Sequence, residues 1–335
     1  TSTVDPCGRN FEGRTFPYFT VPSESRDVIV GIFVSDGNWG RDYVTATFDN
    51  ISIEVPGEFK YDPEPNLEVT NSFAPGKSWP FWYGPNCNFS ADETEYDLVD
   101  SLKDARKIWE SEELIPHCGK NVTDGTSSHF GGGGASPIFA EDKLFLYYYY
   151  PDCATCDEAD DVIIAIDAHD GKTVWKKVFE GAGRNVLLKK SGMKNLTPCY
   201  GDGNVFALGS RGQLYSLDAE TGELNWKKGV GVDSEGENAL TYTDGAVITS
   251  HGSLAAYDGS SGDRLWGLSN NGGGTPVIWH HNDKTFLIHG DPDGEIKCIE
   301  PRTGAIKWSV NDAGWNKYPL SVSGDYLLAN VGGKD

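Results

Sequence analysis

Four segments of the chain superpose in a single phase: IAIDAHDGKTVW (164–175), YSLDAETGELNW (215–226), AAYDGSSGDRLW (255–266) and KCIEPRTGAIKW (297–308). Each carries an acidic residue, a glycine four positions on and a tryptophan four beyond that. The sets are Asp167/Gly171/Trp175, Asp218/Gly222/Trp226, Asp258/Gly262/Trp266 and Glu300/Gly304/Trp308. A period of about 40 to 50 residues restricts the chain to folds assembled from one repeated supersecondary unit.

The unit is readable as chemistry. Runs such as Val162 to Ile166, Leu214 to Leu217 and Ile296 to Ile299 are β-prone. Each ends at a carboxylate able to accept backbone N–H groups of the next turn. The glycine provides the positive φ that a three-to-five-residue hairpin loop requires. The tryptophan then enters the returning strand with enough area to fill a gap between neighbouring sheets.

A second hairpin precedes each of these. SPIFAEDKLFLYYYY, TPCYGDGNVFALG, ALTYTDGAVITSHG, TPVIWHHNDKTFLIHG and YPLSVSGDYLLANVGG all read strand, polar turn, strand. Their expected turns are Glu141-Asp142, Asp202-Gly203, Asp244-Gly245, Asn282-Asp283 and Ser323-Gly324. Two hairpins per period make a four-stranded blade, so the fold class is all-β: a β-propeller of four to five blades. A β-helix has a shorter period, and a helical solenoid shows a 3.6-residue pattern that these segments lack. High glycine and proline (41 and 17) and a single methionine suit many short strands.

At these residues the chain resembles the tryptophan-docking repeats of quinoprotein-like propellers. Trp79-Pro80-Phe81-Trp82-Tyr83-Gly84-Pro85 is similar to the W-P-x-W-x-G-P entry before the first blade of many bacterial members. The resemblance covers 79–335, with Glu300 in place of the usual aspartate. Members usually close with more blades, and Tyr318 to Gly333 begins a fifth that stops before its acidic-Gly-Trp hairpin, so the polypeptide is expected to continue past Asp335. Trp109 is expected on an additional outer strand, although it lacks the acidic residue and glycine.

Upstream, Asp27 to Val55 alternates in strand fashion around Asp36-Gly37-Asn38 and resembles the last strands of a concanavalin-like jelly roll. The expected division is therefore a jelly-roll remnant (1–56), a Pro-rich acidic linker (57–78) and the propeller (79–335). The best helix prediction is 96–113, where Leu98, Leu102, Ala105 and Trp109 share one face.

The net charge of −22 sets the chain against nucleic acid and anionic membranes as partners. No apolar run approaches the roughly 18 residues of a membrane-spanning helix. Seven cysteines (Cys7, Cys87, Cys118, Cys153, Cys156, Cys199, Cys298) and the glycosylation sequons at Asn50, Asn88, Asn121 and Asn195 point to a secreted, cell-surface or periplasmic protein. The first residue, Thr1, is not expected to be the translated start.

Several clusters invite a chemical reading. Cys153-Ala-Thr-Cys156 has redox or zinc spacing, but zinc needs a second pair and the other cysteines stand singly, so a local disulfide is the expectation. Asp291, Asp293 and Glu295 alternate around Gly294 in the manner of part of a calcium loop. Asp157, Glu158, Asp160 and Asp161 are a weaker calcium candidate. His280, His281 and His289 lie on one hairpin, where alternation lets at most one of the first two join the third. Gly131 to Gly134 is no phosphate loop, because Ala135-Ser136-Pro137 follows where Lys-Ser/Thr is required.

The quinoprotein-like resemblance also implies a dehydrogenase reading. Enzymes of that class pair a calcium-bound quinone with an aspartate base and usually an adjacent Cys-Cys pair. No adjacent cysteines occur here, and no such set assembles from the sequence. The expected function is therefore a non-enzymatic extracellular scaffold that engages protein partners or itself, in a surface structure or filament. No cofactor is expected, with Ca2+ as the one ion the acidic loops would take. The alternatives are carbohydrate binding through the jelly-roll strands and quinone-dependent oxidation.

Overall fold

The computed structural model describes residues 78–85, 107, 109–113, 135–151, 157–184, 196–231, 239–251, 253–268, 273–291, 293–311 and 320–329. All lie in the unit Asn66–Asp335, one of two compact units into which the chain divides. The jelly-roll remnant, the linker up to residue 77, the four sequons and the Cys153/Cys156 pair lie outside the described residues.

Among the described residues the protein is all-β, without a helix. The first sheet comprises β1 (Ile138–Ala140), β2 (Lys143–Pro151), β3 (Glu158–Asp167) and β4 (Thr173–Arg184). The second comprises β5 (Cys199–Gly201), β6 (Asn204–Leu208), β7 (Gln213–Asp218) and β8 (Leu224–Gly229). The third holds β9 (Thr241–Thr243), β10 (Ala246–Thr249), β11 (Leu254–Asp258) and β12 (Arg264–Leu268). The fourth holds β13 (Val277–His281), β14 (Lys284–Gly290), β15 (Ile296–Ile299) and β16 (Ile306–Val310), and β17 (Ser321–Ser323) with β18 (Tyr326–Leu328) begins a fifth. Every pairing is antiparallel between consecutive strands, as two hairpins per period require.

The tight turns between the first two strands of each sheet explain the register. Glu141-Asp142, Asp202-Gly203, Asp244-Gly245 and Asn282-Asp283 all have positive φ at both positions, the type I′ geometry that matches strand twist. In the fifth hairpin Ser323 pairs with Tyr326, so the turn is Gly324-Asp325, one residue later than the sequence suggests. Gly324 then takes the positive φ at the first turn position.

The first strands β1, β5, β9, β13 and β17 neighbour one another in that order, so the sheets radiate from a common axis as blades. Burial falls outward. All residues of β9 and β10 are buried, whereas β8 and β12 are mostly half-buried or exposed and β16 is exposed throughout. Inner strands are covered on both faces, which is why they read as short apolar runs (AVIT, LAAY) rather than alternating patterns. Side-chain hydroxyls stitch the inner ends together. Thr197 Oγ1 accepts the Ser136 N–H at 2.9 Å, Thr275 Oγ1 accepts the Ala239 N–H at 2.9 Å, and Thr241 Oγ1 donates to the Pro276 carbonyl at 2.7 Å.

Candidate functional site

The repeat residues form the joints between blades. Asp167 Oδ1 accepts the N–H groups of His169 and Asp170, and Asp218 and Asp258 repeat this with Glu220/Thr221 and Ser260/Ser261. The Thr221 backbone and hydroxyl hold the Asp218 carboxyl below its usual range, and the Ser260 hydroxyl with the Arg302 guanidinium does so for Asp258. Glu300 is held low by the Thr303 hydroxyl and Lys307, and its longer carboxylate accepts that hydroxyl. Glycines 171, 222, 262 and 304 all have φ between +70° and +76°.

Trp175, Trp226 and Trp266 each reach across to the following blade. The indole N–H of Trp175 donates to the Ala219 carbonyl at 3.0 Å, that of Trp226 to Gly259 at 2.9 Å and that of Trp266 to Pro301 at 2.7 Å. The rings lie flat on the next turn, and a Cβ on Gly222, Gly262 or Gly304 would meet them at 2.6–2.7 Å. Opposite each tryptophan stands a small residue, Ala165, Ser216, Ala256 or Cys298, beside a β-bulge in the same register. That small residue is a signal in the sequence that the Asp-Gly-Trp pattern overshadows.

Trp109 performs the same docking for the first blade: its N–H donates to the Ala168 carbonyl at 2.9 Å and its ring covers Gly171. Residues 109–113 are accordingly not helical, which corrects the end of the helix predicted over 96–113. The physical reason is competition from the first blade. The Glu112 N–H bonds the Gly171 carbonyl, and the Glu113 carboxylate takes the Tyr148 hydroxyl and Lys176. At the far end Trp308 has no described turn to cover, is 37% exposed and meets Trp279 edge-on at 6.4 Å.

The Trp79–Pro85 segment runs along the axis-facing edges of the inner strands. Trp79 bridges Phe139 of β1 through two backbone bonds, the Pro80 carbonyl accepts the Tyr200 N–H of β5, and the Tyr83 hydroxyl reaches the Thr275 carbonyl before β13 at 3.1 Å. Phe81 and Tyr83 are buried in the main core. The segment is thus a brace linking blades one, two and four, and it satisfies edge groups that would otherwise stay unpaired.

The chemically suggestive clusters resolve differently. Asp291 Oδ1 accepts the N–H groups of Asp293 and Glu295, while Lys297 Nζ lies 3.2 Å from Asp291 Oδ2 and 2.7 Å from Glu295 Oε2. The Lys297 ammonium thus pairs with two of the three carboxylates of the calcium reading, Asp291 and Glu295. The acidic run at the start of β3 is divided: Asp157 pairs with Arg184 at 3.1 Å, Asp160 accepts the Gly181 N–H and Asp161 turns into the core. His280 and His281 end β13 just before the β13–β14 turn, whereas His289 sits beyond the Val277–Ile288 pair at the other end of that hairpin. His281 bonds Asp325 at 2.7 Å. Among the described residues no three His, Cys, Asp or Glu side chains gather to hold a metal.

Two buried titratable groups stand out. Asp161 accepts the hydroxyls of Tyr147 and Tyr215, and burial raises its pKa against the pull of those donors. His289 is 2% exposed, neither ring nitrogen has a hydrogen-bond partner among the described residues, and burial lowers its pKa to about 4, with Lys297 adding to the shift and Asp291 opposing it. Cys199 and Cys298 are buried free thiols whose pKa burial raises, that of Cys298 to about 11.

Residues 159–313 match the family model described as outer membrane protein assembly factor BamB. This part of the chain carries quinoprotein-like repeats. Among curated relatives, BamB of Shewanella oneidensis is 28% identical over 166 residues, 46% of this chain and 41% of that protein. BamB of Escherichia coli K12 is 24% identical over 182 residues, 50% and 42% respectively. Quinoprotein ethanol dehydrogenase of Pseudomonas putida is 26% identical over 209 residues, 52% and 33%. The match spans less than half the length of each of these relatives. Among solved structures, BamB of Moraxella catarrhalis aligns with a TM-score of 0.42 and 22% identity, covering 64% of this chain and 58% of that one.

Proposed function

We propose that this chain is a non-enzymatic β-propeller scaffold that engages protein partners in the cell envelope, at a periplasmic or surface location. The observation that supports it most is the match of residues 159–313 to the BamB model, whose name states a role in assembling outer membrane proteins. The described chemistry agrees in kind. Trp175, Trp226 and Trp266 are committed to joints between blades, and Lys297 pairs with Asp291 and Glu295 of the acidic loop. By this reading the partners are proteins, with no cofactor taking part.

The test is site-specific photo-crosslinking of the full chain in its native envelope, with the probe at exposed Tyr150 and, separately, at exposed Lys307. The expected result is a discrete adduct with an envelope protein from at least one position. Calcium- and quinone-dependent reduction of a dye by the purified protein with ethanol or methanol would overturn the proposal in favour of a dehydrogenase.

A further inference from the structure

One junction between blades is built unlike the others. In the first sheet β2, β3 and β4 are 9, 10 and 12 residues long, against 5, 6 and 6 for β6, β7 and β8 in the second. The surplus forms a ribbon that continues past the ends of the neighbouring strands and carries Tyr150, 52% exposed. Its attachment to the second blade centres on Asp161, which is 0% exposed.

Asp161 Oδ1 accepts the Tyr147 hydroxyl at 2.6 Å and the Ser210 N–H and hydroxyl at 3.2 Å each, while Oδ2 accepts the Tyr215 hydroxyl at 2.9 Å. The Arg184 N–H donates in turn to Ser210 Oγ at 2.6 Å, and Phe179 stacks on Tyr215 at 4.2 Å between centroids. Two glycines admit the carboxylate: a Cβ on Gly183 would lie 2.5 Å from Oδ1 and one on Gly209 2.1 Å from Oδ2. Tyr147, Arg184, Phe179 and Gly183 belong to the first blade, and Gly209, Ser210 and Tyr215 to the second.

What this site lacks in charge is as telling as what it holds. The groups facing Asp161 are the Tyr147 phenol from β2, the Tyr215 phenol from β7 and Ser210 from the β6–β7 turn. From β4, the Arg184 guanidinium is turned to Asp157 and offers only its backbone to the network. Asp160 points to the Gly181 N–H. Among the described residues no lysine, arginine or histidine bonds Asp161. A carboxylate taken out of water without a cation is costly even when hydrogen-bonded, and neutralising it relieves that cost.

We propose that Asp161 is a proton-tightened clasp, by which the ribbon of the first blade docks on the second more firmly when the carboxyl binds a proton. Undocking returns the group to water and to an ordinary carboxylate titration, so docking takes up a proton. By linkage, docking is strongest below the ordinary carboxylate range and weakens as pH rises from there through the docked group's own titration. Burial, which raises the Asp161 pKa, acts in the same direction. The ribbon that presents Tyr150 thereby responds to ambient pH.

The test is hydrogen exchange by mass spectrometry on the full chain from pH 4 to 8, corrected for intrinsic exchange. Peptides covering 157–184 are compared with peptides covering 277–310. In the wild type the protection of 157–184 relative to the fourth blade should fall with rising pH, by at most about tenfold per pH unit, the limit for one proton. In Asp161→Asn, a neutral isostere, that protection should stay flat at its low-pH value. Tyr215→Phe, which removes one donor to the charged form, should move the wild-type transition to higher pH and keeps the proposal testable if Asp161→Asn does not fold. Protection independent of pH in the wild type, or loss of ribbon protection at every pH in folded Asp161→Asn, would overturn the clasp.

Discussion

Acid should destabilise this protein through one residue in the fourth blade, His289, and the size of the effect can be worked from the structure. The ring is buried with no hydrogen bond to either nitrogen among the described residues, and the Gly273 backbone packs against it so closely that a Cβ there would lie 2.6 Å from Cε1. Burial, reinforced by the Lys297 ammonium, lowers its pKa from 6.5 to about 4. The unfolded chain therefore binds a proton through a window in which the folded chain does not. The contribution to stability is complete above about pH 6.5 and is lost as pH falls towards 4, amounting to about 3 kcal/mol in total. At pH 4.5 the loss is about 2.5 kcal/mol. His289→Leu removes the titration, and because the neutral ring makes no hydrogen bond there, the substitution should change stability by less than about 1.5 kcal/mol at pH 7.5. Urea denaturation of both proteins at the two pH values gives the answer as a difference of differences, in which all other carboxylates and histidines cancel. The variant should gain about 2.5 kcal/mol on the wild type between pH 7.5 and 4.5. Parallel pH dependences, within about 0.5 kcal/mol, would refute the reasoning and mean that the native ring is solvated or paired.

Other consequences can be measured on the same footing. Trp226→Ala, which empties a buried joint, should cost about 3 to 5 kcal/mol, whereas Trp308→Ala at the exposed end should cost less than about 1 kcal/mol by the same urea assay. Gly222→Ala combines an unfavourable φ of +71° with a Cβ 2.6 Å from the Trp175 ring and should cost well over the roughly 1 kcal/mol expected of Gly203→Ala, which shares the φ but meets nothing within 4 Å. Because Lys297 occupies the carboxylates of Asp291 and Glu295, added calcium should leave the melting temperature of the wild type unchanged; a rise on addition, reversed by chelator, would show that the ion displaces the ammonium.

What could be read without the structure follows the range of the interaction. The acidic-Gly-Trp hairpins and type I′ turns are local, each set within a dozen residues, so their periodicity reveals the blade directly. Trp109 carries no such local signature, and its spacing with Leu98, Leu102 and Ala105 imitates a helix face; only the turn at 167–171, far along the chain, shows that the indole belongs to a joint. Asp161 is likewise hidden in an acidic run, because the alternation of β3 sends it inward only once the first blade extends beyond its neighbours. His289 and Lys297 stand opposite each other on β14 and β15, yet their relation depends on a register that the sequence leaves open. Sequence pattern identifies the joints within a repeat and is silent on the exceptions between repeats.

The brace at Trp79–Pro85 has a consequence for biosynthesis. Tyr83 and the carbonyl it bonds are 192 residues apart in the chain, with three blades lying between them. At a synthesis rate of roughly 5 to 20 residues per second, Tyr83 is made some 10 to 40 s before Thr275. Neighbouring blades can dock in order as they emerge, each tryptophan finding the turn made just after it. The bond from Tyr83 to Thr275 must wait until the segment leading into the fourth blade emerges. Its closure is the step at which a growing row of blades becomes one cooperative body, and the interval before it is when an attendant chaperone would have something to hold.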